Sequence, residues 1–321
     1  MEESTTTTTN STTRQIHFLG KGGDLFGIVI VNMLLTGITF GFYYPWAKAS
    51  KMQYLYENTE LDGSRFQFHG TGQEMFMGYL KALAIFAVLM FLQFGLALVG
   101  VPIVGIILSY IFLLVIVPIA LHGSLRYRMS RTSWRGIHFG YRGGLGELLK
   151  KFIGGTLLTI VTLGLYSAWF TVDLRKYMIG KIKFGNVAFS YKGEGQENFL
   201  INLKGIFLII LTLGIYYFWF VKEKFNFYIN NIEMEQNGQK TNLRSTATGG
   251  DFLGLTIANA LILIFTLGFG AAWVTVRTLD FVFSHIDIEG HLDTDKIEQT
   301  EEEYKDAAGD DLANLIGLDI V

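Results

Sequence analysis

Cysteine is absent from this sequence, which excludes disulfide bonds, thiolate nucleophiles and thiolate metal ligands. Histidine does not supply a metal site either, because no two histidines stand at the spacing that two ligands on one helix require. The six histidines are His17, His69, His122, His138, His285 and His291. No nucleophile, base or metal ligands cluster in the sequence, so we predict no enzymatic activity and no cofactor.

Charge is also scarce: 17% of the residues are charged and 50% are hydrophobic, a balance typical of a protein in a bilayer. Five long stretches are almost free of charge, namely residues 25–46, 79–121, 152–170, 205–220 and 252–276. The second stretch is long enough for two spans and is interrupted at Gly100 and Pro102. The pattern predicts a membrane all-α fold of about six hydrophobic helices in a tandem array.

Four of these stretches carry the same signature, in which Thr, Gly and Trp keep their spacing. The threonines are Thr39, Thr162, Thr212 and Thr266, the glycines are Gly41, Gly164, Gly214 and Gly268, and the tryptophans are Trp46, Trp169, Trp219 and Trp273. Glycine readily takes a positive φ, and Trp favours the headgroup level of a bilayer. We interpret the glycines as helix breaks and the tryptophans as interfacial anchors, which makes the signature a structural boundary.

Part of the chain is duplicated, because a shift of 123 positions superposes residues 20–74 on residues 143–197 without a gap. Alternation bounded by glycine, as in Phe66, Phe68 and Gly70, predicts small extramembrane β-hairpins between the helices. We predict a disordered start at 1–15, a repeat-built transmembrane domain at 16–290 and a disordered acidic tail at 291–321, with a short docking segment as the alternative for the tail. The units of the domain are 16–74, 75–142, 143–197, 198–248 and 249–290.

Two topologies fit the repeated signature. If each apolar stretch crosses the bilayer once, successive units face opposite sides, and the 17 residues between Lys204 and Lys222 suit one short span. If the chain turns at the glycine and returns, all β-hairpins lie on one basic face, which suits the positive-inside rule better. We expect single crossings and keep the returning hairpin as the alternative.

Polar groups inside the apolar stretches are the candidates for function, because burying them in lipid is costly. They are Asn32, Gln93, Asn202 and Asn259. Such amides either line a solute path or join helices by hydrogen bonds. A basic patch with Arg126, Arg128 and Arg131 either contacts anionic headgroups or is an ordinary cytoplasmic loop.

The repeated Thr-Leu-Gly-x-Tyr-x-x-Trp signature, followed by a basic stretch and Phe-x-Phe-x-Gly, resembles the YjgN family of bacterial inner-membrane proteins, whose function is unknown. The likeness covers roughly residues 20–290 and is clearest at 39–70 and 162–193, with departures at Phe40 and Gly270. The resemblance implies a multi-pass protein of the bacterial cytoplasmic (inner) membrane, but it supplies no activity and no catalytic residues.

Two functions remain open after these observations. Internal duplication and intramembrane amides favour a small-solute or ion transporter or channel, which is the function that we predict. The Trp residues and basic loops favour the alternative, a non-enzymatic lipid-binding or membrane scaffold protein. The expected partners are anionic membrane lipids, self-association stays open, and nucleic acid is not expected.

Overall fold

The computed structural model describes residues 13–300, which form ten short strands and ten helices. The strands are β1 (Thr13–Phe18), β2 (Thr59–Leu61), β3 (Ser64–Phe68), β4 (Thr132–Trp134), β5 (Ile137–Tyr141), β6 (Ile182–Phe184), β7 (Val187–Tyr191), β8 (Ile232–Gln236), β9 (Gln239–Ser245) and β10 (Ile286–Gly290). The helices are α1 (Gly22–Ile38), α2 (Tyr44–Glu57), α3 (Gly72–Leu98), α4 (Pro102–Ser130), α5 (Leu145–Val161), α6 (Ser167–Gly180), α7 (Gly195–Leu211), α8 (Tyr217–Asn230), α9 (Gly249–Phe265) and α10 (Ala271–Ser284). One 3-10 turn follows at Thr294–Lys296.

All ten strands join in one closed antiparallel barrel. Each strand pairs with its neighbours in the chain, and β1 closes the circle by pairing with both β2 and β10. The pairing of β1 with β10 brings Arg14 opposite Ile288. Because side chains alternate along each strand, one face of every strand points into the barrel. Closure leaves no free sheet edge among the described strands.

The two ends of the barrel differ. Tight turns join four pairs of strands at one end, which we call the turn rim. Three of these turns have positive φ at both central residues, as at Asp62 (46°) and Gly63 (71°), which is the geometry of a tight β-hairpin. The five helix pairs all leave from the opposite end, which we call the helix rim, because each pair connects two neighbouring antiparallel strands.

Apolar side chains fill the barrel near the turn rim. Trp134 is completely buried there, and its indole N–H donates to the Ser64 carbonyl at 2.9 Å. The ring of Phe184 lies edge-on to Trp134, with 6.0 Å between centroids, and stacks on Phe139 at 4.2 Å. Two side chains of this core, Leu292 and Ile297, come from the segment after β10, residues 291–300, which we call the strap.

The strap crosses the turn rim and contacts residues at all four turns. Its hydrogen bonds join it to Asp62, Arg135, Asn186 and Gln236, with donor–acceptor distances of 2.7–3.1 Å. These ten residues fall within the tail for which we predicted disorder; the remainder, 301–321, lies outside the described residues. The predicted disordered start likewise lies outside them at 1–12, whereas residues 13–15 belong to β1.

The ten helices form a closed ring, because each helix packs against the next and α10 packs against α1. Helices α3 and α4, with 27 and 29 residues, are the two described helices that are long and apolar enough to span a membrane. The other eight have 17 or 14 residues, which correspond to about 25 and 21 Å and fall short of a hydrocarbon core of about 30 Å. Large apolar side chains are exposed over much of the ring.

The predicted fold class, membrane all-α with about six hydrophobic helices, is therefore wrong. Residues 25–46 contain most of α1, a turn and the start of α2, so one apolar stretch holds parts of two helices. The expectation of single crossings is wrong for the same reason, since each helix pair returns to the rim from which it left. Barrel closure was not predicted because it depends on strands more than 270 positions apart, which local alternation does not reveal. The duplication itself stays a sequence-based prediction.

Candidate functional site

The Thr-x-Gly signature forms the tip at which four helical hairpins reverse direction. In the hairpin of α5 and α6, the Thr162 hydroxyl donates to the Leu158 carbonyl at 2.7 Å and accepts from the Tyr166 amide at 3.0 Å. The Gly164 amide donates to the Thr159 carbonyl at 2.7 Å, which ends α5. One hydroxyl thus serves the end of one helix and the start of the next. Thr39, Thr212 and Thr266 make the same two bonds.

The residue between Thr and Gly is the most exposed apolar group of each tip. Leu163 has a φ of 50° and leaves 94% of its surface exposed. Phe40, Leu213 and Leu267 share this conformation, with exposures of 88–94%, and the glycines that follow have φ values of 88–94°. A bulky side chain rarely adopts positive φ, and in water its exposure brings no gain. We missed these four residues in the sequence, although the signal was a Phe or Leu at the same place in every copy.

Replacing Thr162 with valine is expected to lower the free energy of unfolding by about 1–3 kcal/mol. Valine keeps a similar shape but leaves the Tyr166 amide without its acceptor at the hairpin tip. The matched control is Thr159→Val, which removes a hydroxyl that donates only to the Gly155 carbonyl of its own helix. Unfolding in a single mild detergent measures both variants, and equal losses of stability would contradict this role of Thr162.

Each signature Trp packs against the first turn of the next hairpin. The pairs are Trp46 with Gly72, Trp169 with Gly195, Trp219 with Gly249, and Trp273 with Gly22. A Cβ atom on these glycines would lie only 2.2–2.6 Å from the indole Cδ1 atom, so the contact requires glycine. The last pair closes the ring between the final and the first hairpin. Trp219 and Trp273 remain 40% and 41% exposed, and the role of the four Trp residues as interfacial anchors stays a prediction.

The four candidate amides lie in four different hairpins. Gln93 donates to a carbonyl and a hydroxyl of α4 at 2.8 and 2.6 Å, and Asn259 donates to a hydroxyl of α10 at 3.1 Å. Asn202 accepts from a lysine of α8 at 3.0 Å, and Asn32 is buried in α1. Each of these side-chain bonds stays within its own hairpin, so the amides do not converge on a shared path.

The basic patch at the end of α4 is partly neutralised by its neighbours. Arg131 forms an ion pair with Glu74 at 2.7 Å, and Arg128 donates to the Tyr56 hydroxyl at 3.3 Å. Arg126 and Arg128 lie near the end of α4, and Arg131 directly follows this helix. Within residues 13–300, no three His, Cys, Asp or Glu side chains are grouped closely enough to hold a metal ion.

A cluster of polar side chains joins α7 and α8. The Lys224 ammonium donates to the side-chain oxygens of Asn198 and Asn202, and Asn198 is buried. Nearby, Glu223 accepts from Lys204 at 2.7 Å and from the Tyr216 hydroxyl at 3.0 Å. We missed Lys224 and Asn198 in the sequence, although the four-residue spacing of the two asparagines places them on one helix face.

Comparison with known proteins gives a family but no activity. A family model described as a bacterial protein of unknown function (DUF898) matches residues 13–192 and 220–315. The inner membrane protein YjgN of Salmonella typhimurium is 30% identical over 168 residues, which cover 52% of this chain and 40% of that protein. YjgN of Escherichia coli strain K12 is 37% identical over 125 residues, which cover 39% of this chain and 30% of that protein. The matches thus span less than half the length of these relatives, and no solved structure matches significantly.

Proposed function

This chain belongs to the DUF898 family of bacterial proteins of unknown function, and we propose that it is a non-enzymatic scaffold that organises lipid around a ring of helical hairpins. The names of its relatives support a location in the bacterial inner membrane. The observation that carries the proposal is the set of four hairpin tips, each of which exposes one large apolar side chain in a conformation that is unfavourable for it. Contact with lipid tails is favourable for such a side chain, because it removes apolar surface from water.

The proposed arrangement has one spanning pair and four shorter pairs. Helices α3 and α4 cross the bilayer, whereas the other hairpins enter from the helix rim and return without reaching the far leaflet surface. The barrel and the strap then lie together on one side of the membrane. Embedding the hairpins in this way removes the exposed apolar surface of the ring from water.

Two observations favour a scaffold over the small-solute transporter or channel that we predicted from the sequence. Aromatic side chains and the strap fill the barrel near the turn rim, where a path along its axis would have to pass. The candidate amides bond within their own hairpins and do not line a common space. Self-association and binding of anionic lipid remain part of the proposal, and nucleic-acid binding does not.

A fluorophore attached to Leu163→Cys is expected to lie in the hydrocarbon region, which the cysteine-free background makes easy to test. Spin-labelled lipids should quench it strongly, and a water-soluble quencher should reach it poorly. The matched control is Asn237→Cys in an exposed turn at the turn rim, where the accessibilities should be reversed. If the water-soluble quencher reaches both labels equally, the hairpins are not embedded.

The functional part of the proposal is tested with the full chain in liposomes. Spin-labelled lipid should show a motionally restricted fraction around the protein. Trapped ions and small solutes should leak no faster than from protein-free liposomes. Selective solute release without restricted lipid would overturn the scaffold and favour a transporter.

A further inference from the structure

Arg175 on α6 is a half-buried cation without an acceptor. Within the described residues its guanidinium makes no hydrogen bond and no ion pair, and its only direct partner is the ring of Tyr228, 3.7 Å from the guanidinium carbon to the ring centroid. Stacking of this kind covers a face of the guanidinium and leaves the N–H donors in its plane available. The free donors of a half-buried guanidinium are satisfied by water or by an anion, and an anion makes the stronger hydrogen bonds.

A second polar group near Arg175 also lacks a partner within the described residues. The hydroxyl of Tyr191, at the helix-rim end of β7, is buried and has no hydrogen-bond partner among residues 13–300, while the residue as a whole is 4% exposed. Burial raises the pKa of Tyr191, and the nearby Arg175 charge opposes that rise, so the two groups interact electrostatically. The charge of Glu197 also raises the pKa of this hydroxyl, but Glu197 forms no ion pair with Arg175. Within residues 13–300 the Tyr191 hydroxyl has no acceptor, but it is covered from solvent, so an anionic oxygen reaches it only when the side chains around it shift.

The space beside Arg175 is apolar. A cavity of about 380 Å³ lies between α4 and α6 at the helix rim, and Arg175 is its only charged lining residue among those described. The remaining lining residues are Leu125, Phe170, Thr171, Leu174, Met178, Ile179 and Ile182. A single cation on an apolar wall suits a ligand that joins an anionic head to a hydrocarbon chain.

Lys224 strengthens the positive potential at this place. Its ammonium lies 4.8 Å from the centroid of the same Tyr228 ring, and the oxygens that it contacts belong to neutral amides of Asn198 and Asn202. Two cations thus share one aromatic ring, and no carboxylate within the described residues is paired with either. An anion bound near both cations offsets their mutual repulsion.

We propose that Arg175 and Tyr191 bind the phosphate of an anionic phospholipid, whose acyl chain occupies the adjoining apolar cavity. The guanidinium donates to the phosphate oxygens in its plane, Tyr191 donates from its hydroxyl, and Lys224 adds attraction at longer range. A free phosphate ion would leave the cavity without an apolar occupant. We therefore assign the bound phosphate group to a lipid. This site deepens the proposed scaffold function and rests on the helix ring being embedded in lipid.

The test compares Arg175→Gln with Lys176→Gln, an exposed neighbour on the same helix, in the full chain purified with added phosphatidylglycerol. Native mass spectrometry should show that the parent protein and Lys176→Gln retain phosphatidylglycerol in preference to phosphatidylethanolamine. Arg175→Gln should bind phosphatidylglycerol about tenfold more weakly than the parent protein. Equal retention by Arg175→Gln, or no preference in the parent protein, would overturn the site.

Tyr191→Phe and inorganic phosphate provide the second measurement. Without added lipid, Tyr191→Phe should unfold at a higher temperature than the parent protein, because it removes a buried unpaired hydroxyl. Phosphatidylglycerol should then raise the unfolding temperature less in this variant. Equal stabilisation of the parent protein by inorganic phosphate alone would contradict a lipid ligand.

A label on Leu163→Cys should stay protected from the water-soluble quencher when Arg175→Gln is added to the same chain. This control separates failure of the lipid site from failure of the scaffold.

Discussion

Replacing Trp134 with alanine is expected to lower the free energy of unfolding by about 3–5 kcal/mol, because this side chain fills the barrel near the turn rim. Trp134 is 0% exposed and touches rings on both sides of its strand, with centroid distances of 6.4 Å to Phe66 and 6.0 Å to Phe184. Its indole N–H also donates a hydrogen bond to the Ser64 carbonyl, and alanine would remove this donor. The loss combines a cavity with a broken hydrogen bond.

The measurement is urea unfolding in one mild detergent, with Trp134→Phe as the matched variant. Phenylalanine retains most of the ring and loses the N–H, so its loss of stability should be clearly smaller than that of alanine. Because the core also contains strap residues, Trp134→Ala should speed cleavage by trypsin after Lys296. A barrel whose stability does not change in Trp134→Ala would contradict the filled core described here.

The sequence predicted local features of this fold better than it predicted their assembly. Alternation at Phe66 and Phe68 indicated a strand where β3 lies, and the glycine of the signature fell where α5 turns towards α6 at Gly164. Both features depend on residues a few positions apart, for which backbone preference and side-chain alternation are informative. The number of helices was wrong because a hairpin and a single span have the same apolar composition when the turn itself is apolar.

The candidate lipid site was largely hidden from sequence reasoning. Arg175 was visible only as a basic residue after Trp169, whereas its significance comes from Tyr228 and Tyr191, which lie on other elements. The absence of an acceptor for a guanidinium is a property of the surroundings in three dimensions. Lys224 was missed for the same reason, since nothing in its local sequence indicates that only neutral amides accept its hydrogen bonds.

Shortening the chain after Gly290 is expected to lower the free energy of unfolding of the barrel by roughly 3–6 kcal/mol, because it removes the apolar burial that Leu292 and Ile297 contribute. These two side chains are 6% and 7% exposed and form part of the core around Trp134. The shortened chain also loses the paired bonds of Gln236, whose amide accepts from the Asp293 amide at 2.9 Å and donates to the Asp293 carbonyl at 3.0 Å.

The matched control is a chain shortened after Thr300, which keeps the strap and removes only residues outside the described part of the structure. Its stability should remain close to that of the full chain. A third variant, Ile297→Asp, separates loss of the apolar contact from loss of chain length, because it buries a carboxylate in the core and should be destabilised nearly as much as the shorter truncation. If the chain ending at Gly290 is as stable as the chain ending at Thr300, the strap covers the turn rim without holding the barrel together. If Ile297→Asp alone is harmless, the hydrogen bonds to the four turns, and not the apolar contacts, hold the strap in place.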